Sequence, residues 1–340
     1  MRAGVVIVAT LVAATFTVGC SSGSSASGTT ITLYSGQHPQ TTDAMVAAFE
    51  KFTGIKVNVR SDDEDVLTAA IEQEGSRSPA DVFFTENSNW LVQLDERHML
   101  APASAAALAP IPAADSAADR NWVGISGRVS VMVYDPDKLT PSQLPASILD
   151  LAQPQWKGKI EIAPGETDFW PLVASVAHAD GEAVALRWLE GLKANAGAND
   201  NVPDNETLTS DVSQGVTDLA VINHYYFYRL EAEVGAASVH AALGYFAPGD
   251  PGYVLDVSAA GVLASSKHQA AAQKFLEFMT SQAGQAILAQ GESFEYPLNP
   301  QVAANPSLTP LAQLHPTDFT VAELGDGLEA KKLLQEAQLI

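Results

Sequence analysis

The sequence predicts an α/β protein folded as two lobes around open, parallel sheet. Three observations carry that expectation. The chain has 340 residues, and at about 150 residues per domain this length makes two domains, or one domain of two lobes. Its early part alternates strand, helix and strand patterns, which is the signature of a βαβ unit. The run Val82-Phe83-Phe84 is continuously apolar, as in strands covered on both faces.

The elements follow in chain order. After Met1-Arg2 comes an uncharged apolar stretch, residues 3–18, shorter than the about 20 residues of a membrane-spanning helix. It reads as a signal peptide. It ends in Thr17-Val18-Gly19-Cys20, which resembles the lipobox of bacterial lipoproteins. Cys20 is the sole cysteine, and the Ser/Gly-rich residues 21–28 after it form a flexible tether by composition. Residues 1–19 are thus expected as a lipoprotein signal peptide, Cys20 as the lipidation site and 20–29 as the tether of a membrane-anchored, extracytoplasmic protein. A single thiol excludes an internal disulfide, a cysteine zinc site and an iron–sulfur cluster within one chain.

Residues 31–35 alternate as a strand, and 55–59 do so again. Between them Met45, Ala48, Phe49 and Phe52 fall at helical spacing, with Thr41 or Thr42 as the cap and Gly54 as the stop. A second helix is expected over 66–73, and the acidic run 62–65 before it fits a helix start, where negative charge is favourable. Strand 79–85 follows. Ligands of open α/β sheets bind beyond the carboxyl ends of strands, so Gly36-Gln37-His38 and Glu86-Asn87 should share one rim, with His38 and Glu86 close together. Residues 101–118, rich in Ala and Pro, read as a surface excursion. In the second half, strands are expected at 129–134, 159–163 and 219–222, a helix over 183–193, a rim loop over 223–228 and one long amphipathic helix over 269–289.

The net charge of −22 disfavours nucleic acid and anionic lipid surfaces as ligands. With 46% hydrophobic residues and 17% charged, the chain has ample apolar surface for folding. No Gly-x-Gly-x-x-Gly, Walker A, His-Glu-x-x-His or EF-hand pattern is present. Ser126, in Gly124-Ile125-Ser126-Gly127, is not in a nucleophile elbow, and no enzymatic activity is expected. The acidic residues Asp200, Asp204 and Glu206 lack calcium-loop spacing and read as a solvated turn. His224 is assigned a structural or hydrogen-bonding role, and His98, His178, His240, His268 and His315 read as surface residues. Adjacent tyrosines such as Tyr225-Tyr226 are commonly half-buried core residues.

Seven segments give that tyrosine pair another meaning: Tyr34-Ser35-Gly36-Gln37-His38, residues 79–86, Ser126-Gly127-Arg128, Val133-Tyr134-Asp135, residues 156–160, Ile222-Asn223-His224-Tyr225-Tyr226 and Glu295-Tyr296-Pro297-Leu298. Together they resemble the periplasmic ferric-iron-binding proteins of bacterial ABC importers over residues 31–339. The resemblance implies the type II periplasmic-binding-protein, transferrin-like fold, with a ligand cleft between lobes 30–130 plus 257–305 and 131–256 plus 306–340. It implies Fe³⁺ held by His38 and Glu86 of the first lobe and Tyr225 and Tyr226 of the second. Two phenolates and one carboxylate balance the charge of Fe³⁺ and suit its preference for hard anionic oxygen. An ABC permease is the implied partner, ferric iron or a ferric chelate the cargo, and a monomer the expected state.

In that family a synergistic anion, carbonate or phosphate, completes the coordination from a Ser-Gly-Ala turn helped by asparagines. The asparagines match Asn205 and Asn223. The turn is replaced by Glu166-Thr167-Asp168, whose carboxylates repel phosphate. Either Glu166 or Asp168 reaches the iron in place of the anion, or the anion is carbonate, water-mediated or absent, with Arg128 offsetting charge. The alternative function is a metal-free binder of a small organic cation such as a polyamine, or of a phosphonate, on the same fold.

Overall fold

The computed structural model describes residues 28–340; the expected signal peptide, Cys20 and most of the tether lie outside the described residues. Among the described residues nine strands form the frame: β1 (Thr30–Ser35), β2 (Lys56–Ser61), β3 (Val82–Thr85), β4 (Leu100–Ala101), β5 (Trp122–Tyr134), β6 (Leu219–Asn223), β7 (Ala242–Gly244), β8 (Leu255–Leu263) and β9 (Tyr296–Pro297). The long β5 serves two sheets. Residues 122–129 pair antiparallel with β8, whereas residues 130–134 pair antiparallel with β6. The first sheet runs β2-β1-β3-β8-β5, with β4 on β8 and β9 on β5. In the second, β6 and β7 both pair with the end of β5.

At the crossover, Ser130 binds the returning chain three times. Its N–H donates to the Val254 carbonyl at 3.0 Å, and its hydroxyl donates to the Gly252 carbonyl at 2.9 Å and accepts from the Val254 N–H at 2.9 Å. Both chain crossings are therefore fastened to each other where they pass between sheets.

β1 is parallel to β2 and to β3, as the βαβ pattern requires. The sheet is nonetheless mixed, because β8 is antiparallel to β3 and β5. This corrects the expectation of parallel sheet, and its cause is the chain path. The chain leaves the first sheet along β5 and returns along β8, so the returning strand runs against those it rejoins. β3 is buried throughout, in line with its unbroken apolar run.

The helix after β1, Pro39–Thr53, begins earlier than the threonines predicted to cap it. Proline fixes φ near the helical value and lacks the N–H that a first turn leaves unpaired. Thr42 instead shares a buried 2.7 Å hydrogen bond with Ser35. Met45 and Phe49 are core residues, but Phe52 is 78% exposed. Helix Glu64–Glu74 forms close to the expected span.

In the second half, helix Glu182–Ala196 matches its expectation. The strand predicted over 159–163 is reduced to one parallel bridge between Ile160 and Leu219, since Pro164-Gly165 turns the chain away. The long helix expected over 269–289 is two, Gln269–Thr280 and Gln282–Gln290. Ser281 divides them, and its hydroxyl accepts from the Gly284 N–H at 3.2 Å, capping the second. The C-terminal helix Leu328–Glu336 packs on helices Trp170–Asp180 and Glu182–Ala196, and Lys193 Nζ donates to the Gln338 carbonyl at 2.6 Å. Among the described residues no helix is long and apolar enough to cross a membrane.

Candidate metal centre

The parallel pairing of β1 and β3 sets one side of the site. Gly36 N–H donates to the Phe84 carbonyl at 2.9 Å, so the loops that leave the two strand ends run side by side. His38 and Glu86 meet as expected, with Nδ1 to Oε1 at 2.9 Å. Glu86 Oε1 has no aligned hydrogen bond in this ion pair, and His38 Nε2, the ring nitrogen outside the contact, is buried without a hydrogen-bond partner. Such orphaned acceptors in a buried place are suited to a cation. Burial alone would lower the His38 pKa, but the Glu86 carboxylate raises it overall.

Tyr225 and Tyr226 do not lie on a rim loop. They occupy the first turn of helix His224–Val234, directly after β6. Successive helical residues are about 100° apart, close enough for both rings to face one point, and their centroids lie 4.2 Å apart. The His38 ring stands edge-on to Tyr225 at 5.6 Å and to Tyr226 at 6.1 Å, so residues carried by the two sheets converge. Arg229, one turn further along the helix, covers the Tyr225 ring at 4.4 Å. Burial first, then the charges of Asp168 and other nearby acids, push both phenols well above their ordinary pKa.

Both phenols donate to one oxygen, Asp168 Oδ2, at 3.1 Å from Tyr225 and 3.0 Å from Tyr226. Burial would raise the Asp168 pKa, but Arg128, hydrogen bonds from Asn223 and Tyr226, and the His38 charge together hold it below the usual range. Asn87 Nδ2 lies 3.3 Å from both Thr167 Oγ1 and Asp168 Oδ1. Arg128 is fully buried. Its guanidinium donates to Asn87 Oδ1 at 3.0 Å and to Glu295 Oε1 at 3.1 Å, and lies 3.4 Å from Asp256 and 3.9 Å from Asp168. Thr167, Asp168, Arg128 and Asn223 are thus brought to the phenols.

Glu166 is half-buried at the edge of this group. Its pKa is pushed up to about 8 by burial and by repulsion from Asp168, Glu86, Glu206 and Asp204. Asn205 opens helix Asn205–Ser213, buried with its Nδ2 unpartnered. The expected solvated turn is in part the start of this helix, whose Asp204 side chain accepts from the Thr207 N–H at 2.7 Å.

Some functional neighbours escape sequence reasoning. Glu64, read as part of a helix-capping run, is buried and accepts from Asn87 N–H at 2.8 Å, Asn87 Nδ2 at 2.9 Å and Trp90 Nε1 at 2.9 Å. It props the Glu86-Asn87 loop from behind. Gly36 makes room for it, since a Cβ there would sit 2.5 Å from Glu64 Cγ. Arg229 carried a legible signal, four residues after Tyr225 and three after Tyr226, visible only once that stretch is known to be helical. His224 takes the structural role expected: its Nδ1 accepts from the Val129 N–H at 3.2 Å and its ring stacks on Tyr296 at 4.8 Å. The five other histidines outside the site are exposed. Ser126 donates to Glu295 Oε2 at 3.1 Å, a carboxylate that also accepts from Arg128. Among the described residues no three His, Cys, Asp or Glu side chains are grouped to hold a metal, so any cation here depends on the phenols.

Two sheets exchanging one long strand, with polar and phenolic groups buried where they meet, define a two-lobed solute-binding protein. The chain belongs to the bacterial extracellular solute-binding protein family, whose sequence pattern matches residues 35–286. This is a family of binding proteins and not of enzymes. Within it the chain is similar to the ferric-iron-binding periplasmic proteins. It is 40% identical to the Fe(3+)-binding periplasmic protein of Serratia marcescens, over 91% of this chain and 90% of that protein. Its fold matches the crystal structure of iron-bound HitA from Pseudomonas aeruginosa with a TM-score of 0.86 and 39% identity, covering 91% and 99% of the two chains. It also matches Trichodesmium IdiA (FutA) in complex with iron and citrate, with a TM-score of 0.80 and 30% identity over 92% and 100%.

Proposed function

We propose that this protein captures Fe³⁺ outside the cytoplasm, between two lobes, and delivers it to an ABC permease. His38 and Glu86 reach the ion from one lobe, Tyr225 and Tyr226 from the other. The observation that carries the proposal is the meeting of two buried phenols with the orphaned His38 Nε2 and Glu86 Oε1. Iron-bound relatives add support. The lobes are assigned to residues 30–130 with 257–305 and to 131–256 with 306–340, so β5 and β8 are the crossings. Ligands drawn from both lobes make binding and closure one event, since metal stabilises the closed arrangement over the open one. Reduction to Fe²⁺, or protonation of the phenolates, weakens the charge match and releases the ion. The protein acts as a monomer held to the membrane by lipid on Cys20.

Colour tests the reading, because phenolate coordination to ferric iron produces a visible charge-transfer band. Purified protein given ferric citrate is expected to turn coloured and to retain one iron per chain, and Tyr225→Phe to lose both. A colourless wild type, or unchanged retention in Tyr225→Phe, overturns the reading. Thermal stabilisation by a polyamine and not by ferric citrate would favour an organic cation instead.

A further inference from the structure

We infer that the groove beside Phe52 is a membrane-contact surface, on which the folded part of the chain rests against lipid headgroups with its cleft turned away from the bilayer. The inference rests on the lipid anchor proposed at Cys20. Phe52 is 78% exposed, more than any other large hydrophobic side chain among the described residues. It lies tilted on Phe278, with ring centroids 5.9 Å apart. With Ile55 and Ala283 the two rings line a groove of about 540 Å³, between the end of helix Pro39–Thr53 and the start of helix Gln282–Gln290. An apolar recess rimmed by polar side chains marks a contact surface.

The path of the chain names the occupant. The Thr29 carbonyl accepts from the Lys56 N–H at 3.0 Å, so the chain enters the fold next to Ile55, on the wall of the groove. Gly28 follows Cys20 by eight residues, which reach about 26–29 Å when fully extended. A lipid on Cys20 therefore keeps this end of the molecule at the bilayer surface. His38 and Glu86 belong to the other end. β1 runs from Thr30 toward His38, and the 15 residues of helix Pro39–Thr53 lead back to Phe52, a length of about 22 Å. Contact at the groove thus holds the cleft toward the medium, in the posture for capture.

Charge agrees, although the chain as a whole carries −22. Screening at physiological salt limits the reach of an exposed charge to about 8 Å, so the bilayer responds to the neighbourhood of the groove. Lys51 and Lys274 are exposed there and make no ion pair among the described residues. The nearby acids are engaged: Glu277 Oε1 accepts from the Ser104 hydroxyl at 2.8 Å, and Glu50 pairs with Lys56 at 2.7 Å. An aromatic ring flanked by free lysines suits an anionic bilayer interface.

The test uses the full acylated chain in vesicles of phosphatidylethanolamine and phosphatidylglycerol. Cys20 is the sole cysteine, so with its sulfur carrying lipid, Ala283→Cys takes up one nitroxide at the groove. Val216→Cys, at a 59% exposed position assigned to the other lobe, is the control. The Ala283→Cys label is expected to be relaxed by oxygen, which concentrates in lipid, and shielded from a water-soluble nickel chelate; the Val216→Cys label is expected to show the reverse. Adding Phe52→Ser should return the Ala283→Cys label to water, with circular dichroism unchanged. Adding Lys274→Gln should lower the ratio of lipid-contacting to free label about fivefold. The inference falls if the Ala283→Cys label is as water-exposed as the Val216→Cys label, if Phe52→Ser changes nothing, or if spin–spin broadening shows a second copy on the groove. Two nitroxides per chain would reveal a free Cys20 thiol, overturning the anchor itself and the inference with it.

Discussion

The guanidinium of Arg229 lies 4.4 Å from the centre of the Tyr225 ring, one helical turn away on the side of the helix that faces the site. A cation there favours the ionised phenol and opposes the burial that raises its pKa. An interaction of this kind is worth about 0.5–1 kcal/mol where partly exposed. Arg229→Gln is therefore expected to weaken iron binding about two- to fivefold and to shift iron release toward higher pH. Competition with citrate across a pH series measures it, and an identical release curve would remove Arg229 from the site.

Iron uptake should acidify the solution. Both phenols are protonated in the empty site, their pKa values raised by burial and neighbouring acids, and both must ionise to bind Fe³⁺. Affinity consequently rises with pH and falls as pH falls. His38, whose pKa Glu86 raises against burial, adds its own proton where it is still charged. A pH-stat titration with ferric nitrilotriacetate is expected to record this release, reduced in Tyr226→Phe.

Gly36→Ala is expected to disturb both fold and site. The new Cβ would meet Glu64 Cγ at 2.5 Å and Glu64 Cα at 3.2 Å, and overpacking of this kind costs about 1–3 kcal/mol. Moving Glu64 releases the Glu86-Asn87 loop it supports, so the urea midpoint and iron retention should fall together. Loss of stability with unaltered iron affinity would show that the two are separate.

His224 makes acid stability a separate question from iron release. Burial, above all, lowers its pKa to about 3, against about 6.5 in the unfolded chain. The unfolded state therefore binds a proton first as pH falls, and the folded state loses about 1.4 kcal/mol for each pH unit between about 6.5 and 3. His224→Asn, which can still accept from Val129, should be less stable at pH 7 through lost packing on Tyr296. Its urea-unfolding free energy should nevertheless decline less between pH 7 and pH 4.5. Parallel curves for the two proteins would rule out His224 as the acid-sensitive group.

What the sequence conveyed depended on distance along the chain. His38 and Glu86 could be placed together because parallel strands end on a common rim. The tyrosine pair was visible as a pair, but its helix was not: Asn223 to Tyr228 holds three tyrosines and a phenylalanine, whose weak helix propensity is overridden by packing against β5. Glu64 looks the same in sequence whether it caps a helix or is buried. Only Gly36, Asn87 and Trp90, brought in by the fold, decide it. Phe52 met the helical spacing of the core and still faces solvent, beside Phe278 of helix Gln269–Thr280. The mixed sheet followed from a chain crossing and return that no local pattern records.

The three Ser130 bonds at the crossover have a mechanical consequence. Because they tie residue 130 to residues 252 and 254, the outgoing and returning strands cannot flex at different heights. Rotation about that line is the soft direction, while shear of one half past the other would break the ties. For the closing motion proposed above, the ties favour rotation over sliding, like a book on its spine, and rotation brings donors on opposite pages back to the same registry.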